Sequence, residues 1–107
     1  MDIDGIRDKV LREEYEISFH AEKERYAEDI TVSDLETAIG QGEILEDYAN
    51  DPRGSSCLVL GHSHGRAIHI VCGYGSRGQV RIITVYLPKP PKWIDERTRR
   101  AGGKGNA

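Results

Sequence analysis

The chain has 107 residues, 37% hydrophobic and 31% charged, enough to bury one modest core under a heavily solvated surface. No apolar run approaches the roughly 20 residues that a helix needs to cross a bilayer, so a soluble chain is expected. The opening MDIDGIRDKV is acidic and lacks the regions of a signal peptide, so a cytoplasmic location is expected. The net charge of −3 conceals a split. Residues 1–50 carry fifteen acids against five Lys and Arg, and residues 51–107 carry three acids against ten. Two accounts fit: a basic face meets an anion such as nucleic acid, or the two halves neutralise each other in the fold.

In chain order, Ile3, Ile6, Val10 and Leu11 mark one face of an amphipathic helix over residues 2–14, with Asp2 and Asp4 at its positive end. Tyr15–Phe19 reads as an edge strand or an extended connector. His20–Asp29 is a charged surface helix anchored by Ala21, Tyr26, Ala27 and Ile30. Ser33-x-x-Glu36 predicts a capping box opening a third helix, with Leu35, Ala38 and Ile39 inward and Gly40 and Gly42 ending it.

From Glu43 the period changes to alternation. Ile44–Tyr48 predicts a strand, Asn50–Gly54 a turn, Cys57–Gly61 a second strand and His62–Gly65 a second turn. Ala67–Gly73 and Gln79–Leu87 are rich in Val and Ile and flank a Gly-rich turn, so they form a hairpin. The expected fold class is α+β: N-terminal helices packed on a curved antiparallel four-stranded meander. Pro88, Pro90 and Pro91 carry the chain extended to Trp93 as an anchor, and Glu96–Arg100 adds a helical turn. Residues 1–100 are expected to form one domain, with 101–107 a flexible tail.

Pairing the hairpin as Ala67 with Tyr86, His69 with Thr84 and Val71 with Ile82 puts His69, Thr84 and Tyr86 on one face, and Ile68, Ile70, Ile83 and Val85 on the other. His69 and Tyr86 then serve either as acid and base or as core residues. His20 and Glu24 share a helical face, as an ion pair, an oriented imidazole or two metal ligands. His62-x-His64 has no third ligand at a recognised spacing, so no metal site is assigned. Gly73-x-Gly75-x-x-Gly78 joins two strands rather than a strand to a helix, so no dinucleotide cofactor is assigned either. Cys57 and Cys72 are expected as free, packed thiols. Arg66, Arg77, Arg81, Lys89, Lys92, Arg97, Arg99 and Arg100, interleaved with Tyr74, Tyr86 and Trp93, are either the residue types that bind phosphates and stack unpaired bases or the solvated charge of a small protein.

As an ordered set, several segments resemble the domain of unknown function 4258 family over about residues 15–100. They are His20-Ala21, Ile30-Thr31, Gly42–Tyr48, Cys57–Gly61, Gly65–Val71 and Ile83–Tyr86 with Pro88 and Trp93. The resemblance implies a fold similar to RelE-type and BrnT-type toxins, metal-independent and cofactor-free RNA cleavage, and a small zinc-finger protein as antitoxin partner. His20, Arg66, His69 and Tyr86 fall on the family's pattern as catalytic candidates. Arg77, Arg81, Lys89, Lys92 and Trp93 are the RNA-binding candidates. The alternative is a non-catalytic RNA- or protein-binding module of the same fold.

Overall fold

A computed structural model describes residues 1–100; the tail expected at 101–107 lies outside the described residues. Helices α1 (Ile3–Leu11), α2 (Phe19–Ala27) and α3 (Val32–Gly40) are joined by β1 (Tyr15–Ile17) and followed by β2 (Glu43–Tyr48), β3 (Ser56–Ser63), β4 (Arg66–Tyr74) and β5 (Val80–Tyr86). The fold is α+β, as expected. The sheet, however, has five strands in the order β1-β5-β4-β3-β2 and is mixed. Strands β2 to β5 are the antiparallel meander, and β1 adds parallel to β5 through Tyr15–Val80, Glu16–Arg81 and Ile17–Ile82. Three residues of weak alternation carry little strand signal of their own. What makes β1 a strand is the unpaired edge of β5, reinforced by the Glu16–Arg81 ion pair.

Each helix is fixed locally at its start. The Asp2 carboxylate accepts from the amides of Asp4 and Gly5, and the Ser18 hydroxyl accepts from Ala21. The box opening α3 is Thr31–Asp34 rather than Ser33–Glu36: the Asp34 amide donates to the Thr31 hydroxyl at 2.9 Å and the Thr31 amide to the Asp34 carboxylate at 3.0 Å. Both patterns fit the sequence rule, and tertiary bonds to Asp34 decide between them. In α2, Tyr26 and Ala27 point to solvent, and Arg25 is buried in their place. Its guanidinium donates to Glu22 and to the Ile30 carbonyl.

The main core lies between the helices and one sheet face: Ile6, Val10, Ala21, Leu35, Ala38 and Ile39 against Cys57, Val59, Ile68, Ile70, Cys72, Val80, Ile82 and Val85. Gly61 makes the close approach, since a Cβ there would stand 1.9 Å from the Ala38 carbonyl oxygen. Helix α3 therefore rests directly on the backbone of β3. The β3–β4 turn is two residues, His64 and Gly65, both at positive φ, the conformation that matches strand twist in tight hairpins.

The β4–β5 register differs from expectation by two residues. His69 pairs with Tyr86, Ile70 with Val85 and Val71 with Thr84; then a bulge at Ile83 shifts the pairing to Cys72–Ile82. The bulge flips the alternation, so Ile82 is buried in the core and Ile83 is partly exposed, the reverse of the predicted assignment of Ile83. His69, Thr84 and Tyr86 still share a face, because a shift of two preserves side-chain parity.

Residues 88–100 cross the outer face of the sheet as a strap. Glu96–Arg100 is not helical; an isolated bridge joins Trp93 and Arg99. Trp93 is 1% exposed, and Leu58 and Leu60 are buried on that same outer side. This second small core explains why β3 is covered on both faces.

Candidate nucleic-acid interface

Cross-strand register sorts the outer face into rows. One runs Glu43, Leu60, His69, Tyr86; the next Glu46, Leu58, Val71, Thr84; the third Tyr48, Ser56, Gly73, Arg81. The strap covers the first row. His69 is fully buried, with Trp93 edge-on at 4.4 Å and Tyr86 at 5.2 Å. Its Nε2 lies 2.7 Å from the Glu96 carbonyl oxygen, which can only accept, so Nε2 carries the proton. Nδ1 is then the acceptor for the Tyr86 hydroxyl at 3.2 Å. Burial lowers the His69 pKa and raises that of Tyr86, holding both neutral. The two residues are brought together as expected, but both imidazole nitrogens are occupied by the protein.

The other catalytic candidates are dispersed. Arg66 donates to the carbonyls of Glu28 and Asp29 at 3.0 and 2.9 Å, capping the end of α2. His20 is exposed and pairs with Glu24 at 3.3 Å. The other Glu24 oxygen accepts from the Val85 amide, filling the edge of β5 beyond β1. His62 faces Glu96, while His64 faces Asp34 together with Ser63. These bonds hold the Asp34 carboxyl well below its ordinary range, Ser63 contributing most.

Trp93, predicted to stack a base, is buried; the Arg99 guanidinium covers its ring at 4.6 Å. Much of the charge split is internal. Arg66, Arg81, Lys89, Arg97 and Arg99 pair with Asp34, Glu16, Glu28, Glu43 and Glu46 of the acidic half. Mutual neutralisation therefore accounts for five of the C-terminal cations. Among the described residues, no carboxylate lies within ion-pair distance of Arg77 or Lys92.

The part of the outer face that the strap leaves open is a groove of about 820 Å³ over the second and third rows. Its floor is Val71, Gly73, Ser56 and Thr84, and its walls carry Arg53, Arg81 and Arg99 with Tyr48; Tyr74, at the rim, turns its hydroxyl to Gly5 of α1 on the helix side. Gly73 deepens the floor because it has no side chain in its row. Arg53 is 89% exposed and Arg81 48%, so both guanidiniums reach solvent despite pairing with Asp51 and Glu16. The Glu46 carboxylate receives Arg99 through two bonds and the Tyr48 hydroxyl, and Arg99 first of all keeps its pKa low. Sequence reasoning missed Arg53, Tyr48 and Ser56 as groove residues. Asp51-Pro52-Arg53-Gly54 signals only a turn, and nothing local says that this turn overhangs the sheet.

These features define a small α+β protein with an Arg- and Tyr-lined groove on an open sheet face. The family model described as Domain of unknown function (DUF4258) matches residues 17–87, and the chain belongs to that family. No curated protein and no solved structure matches the chain.

Proposed function

We propose that this chain is a toxin-like protein that engages single-stranded RNA in the groove on its open sheet face. One observation carries the reading. Three guanidiniums, the Tyr48 ring and the hydroxyls of Ser55, Ser56 and Thr84 converge on one concavity, pairing phosphate donors with a flat π-surface. RNA would displace Glu16 and Asp51 from Arg81 and Arg53. These ion pairs are exposed and screened by solvent, so each holds its partner weakly and the exchange is cheap. The wider reading adds a small zinc-finger antitoxin as partner and the cytoplasm as location.

Binding is better supported than cleavage, because His69 has no free nitrogen and Glu46 is a weakened base. Metal-independent cleavage remains the second reading, favoured by the adjacency of Glu46, Tyr48 and Arg99 at the groove. There Glu46 would accept the ribose 2′-hydroxyl proton, Arg99 would stabilise the phosphorane, and Tyr48 would protonate the departing 5′-oxygen.

Titrating a labelled oligoribonucleotide at several salt concentrations tests binding. The expected result is an affinity that falls steeply with salt and drops roughly tenfold or more in an Arg53→Ala/Arg81→Ala double variant. Absence of binding at low salt, or a variant that binds equally well, sinks the reading. Incubating the same RNA and resolving its ends tests cleavage: a 2′,3′-cyclic phosphate terminus supports it and intact RNA removes it. Inducing the chain in cells tests the toxin part, which normal growth would contradict.

A further inference from the structure

Cys57 and Cys72 lie directly opposite each other on the two central strands β3 and β4. Both are completely buried in the main core, and their sulfurs are 3.9 Å apart as free thiols. Directly opposed residues of an antiparallel pair have Cα atoms about 4.5–5.5 Å apart, inside the roughly 4.4–6.8 Å range that a disulfide spans. Bonding would bring the sulfurs closer by only about 1.9 Å, to the usual length near 2.05 Å. Side-chain rotation supplies most of that approach.

The neighbours of these cysteines build the floor of the groove. Ser56 precedes Cys57, Val71 and Gly73 flank Cys72, and Ser56 pairs with Gly73 across the strands. Immediately beside them, the β4–β5 ladder breaks at the bulge between Val71 and Cys72. Tightening β3 against β4 at this point therefore acts on the least regular part of the sheet.

We propose that Cys57 and Cys72 are a dithiol that hydrogen peroxide converts to a cross-strand disulfide, and that the new bond alters RNA binding in the overlying groove. The second clause rests on the RNA reading; the first does not. In the first step one of the two sulfurs attacks the peroxide, the O–O bond breaks, and a sulfenic acid and water form. In the second, the other sulfur attacks the oxidised one, the S–O bond breaks, and the hydroxide leaves as water with the second thiol's proton. Two thiols are oxidised and one peroxide is reduced to two waters. Either sulfur can donate in the contact between them, so either can attack first, and the same disulfide forms in both orders. Full burial makes oxidation slow and selective for small oxidants.

The test is to expose the folded chain to hydrogen peroxide, unfold it in iodoacetamide and measure intact mass and linked peptides. The expected product has lost two hydrogens, takes up no alkyl group, and contains a Cys57–Cys72 peptide that dithiothreitol separates. Two cysteines that remain alkylatable, or a Cys57 sulfinic acid beside a free Cys72, would overturn the proposal. A Cys72→Ser variant should give no intramolecular link and accumulate oxygen on Cys57. If that variant fails to fold, the wild-type mass measurement still decides. Comparing oligoribonucleotide affinity of the reduced and oxidised chains tests the second clause. A several-fold difference reversed by reductant is expected, and equal affinities would refute control of the groove. RNA binding absent in the reduced chain would count against the groove reading, while the mass result would stand.

Discussion

His69 shows how one residue changes meaning with its surroundings. On the sequence it is a histidine on a strand near a tyrosine and arginines, a pattern that catalysis and packing share. In the fold both its nitrogens are bonded and its ring carries Trp93, so its work is to fasten the strap to the sheet. The consequence for pH has a definite sign. Burial depresses the folded-state pKa below the ordinary 6.5, so the unfolded chain binds more protons at mildly acid pH. The stability His69 contributes is fully present above about pH 6.5 and is lost as pH falls toward the folded pKa. Urea midpoints should therefore be lower at pH 5.5 than at pH 7.5, and His69→Phe should flatten that drop. A wild-type midpoint that rises on acidification would contradict this account. Asp34 is depressed in the same direction from a lower starting point. Its contribution is present above its ordinary value of 3.8 and disappears only in stronger acid, which separates the two effects.

Gly61 is the other residue whose role is set by a neighbour. Its substitution by Ala forces a carbon against the Ala38 carbonyl, and neither backbone has a flexible end to yield. Gly61→Ala should cost about 3 kcal/mol or more by overpacking, measured as a lowered denaturation midpoint. A variant as stable as the parent would show that α3 does not sit against β3 as described.

Among the elements, β5 carries the most constraints. Its inner neighbour is β4, and its outer edge is shared by β1, Ser18 and Glu24. The Ser18 amide donates to the Ile82 carbonyl, the Ser18 hydroxyl to the Ile83 carbonyl, and the Val85 amide to Glu24. A sheet edge left with open donors and acceptors templates aggregation, and here the start of α2 closes it. Glu24→Ala should uncover the Val85 amide, lower stability by about 1–2 kcal/mol and raise aggregation on heating, read by light scattering. Glu24→Gln keeps an acceptor oxygen and should recover most of the loss. Equal aggregation in both variants would argue against the edge role. The bulge at Ile83 belongs to this scale too. It explains why Ile83 rather than Ile82 reaches the groove, and no periodicity rule predicts it.

At the scale of the whole molecule, the strap divides the outer sheet face into a covered third and an open groove. It is held by Trp93 at its centre and by Lys89, Glu96, Arg97 and Arg99 pairing with Glu28, His62, Glu43 and Glu46 along its length. The exposed pairs add little singly, so the indole dominates. Trp93→Ala should cost about 3–5 kcal/mol, and it should make residues 88–100 the first segment cut in limited proteolysis. A variant whose strap resists protease like the parent would place the anchoring elsewhere.

The three-helix and hairpin content was legible from the chain alone, because capping residues, turn glycines and runs of Val and Ile act locally. So was the anchor role of Trp93, since the prolines leave an extended segment that only a large apolar side chain can hold down. The β4–β5 register, the bulge and the pairing of β1 depend on which strand edges lie free, a property of the assembled sheet. The same limit applied to the site. Sequence put His69 and Tyr86 on one face, whereas only the folded strap showed that His69 is closed off and Tyr86 half-buried beside it. The charge split was visible as numbers, but five of its cations turned out to be answered by carboxylates far away in sequence. What remained open to solvent was a groove whose walls come from a turn, two strands and the strap, brought together only by tertiary packing.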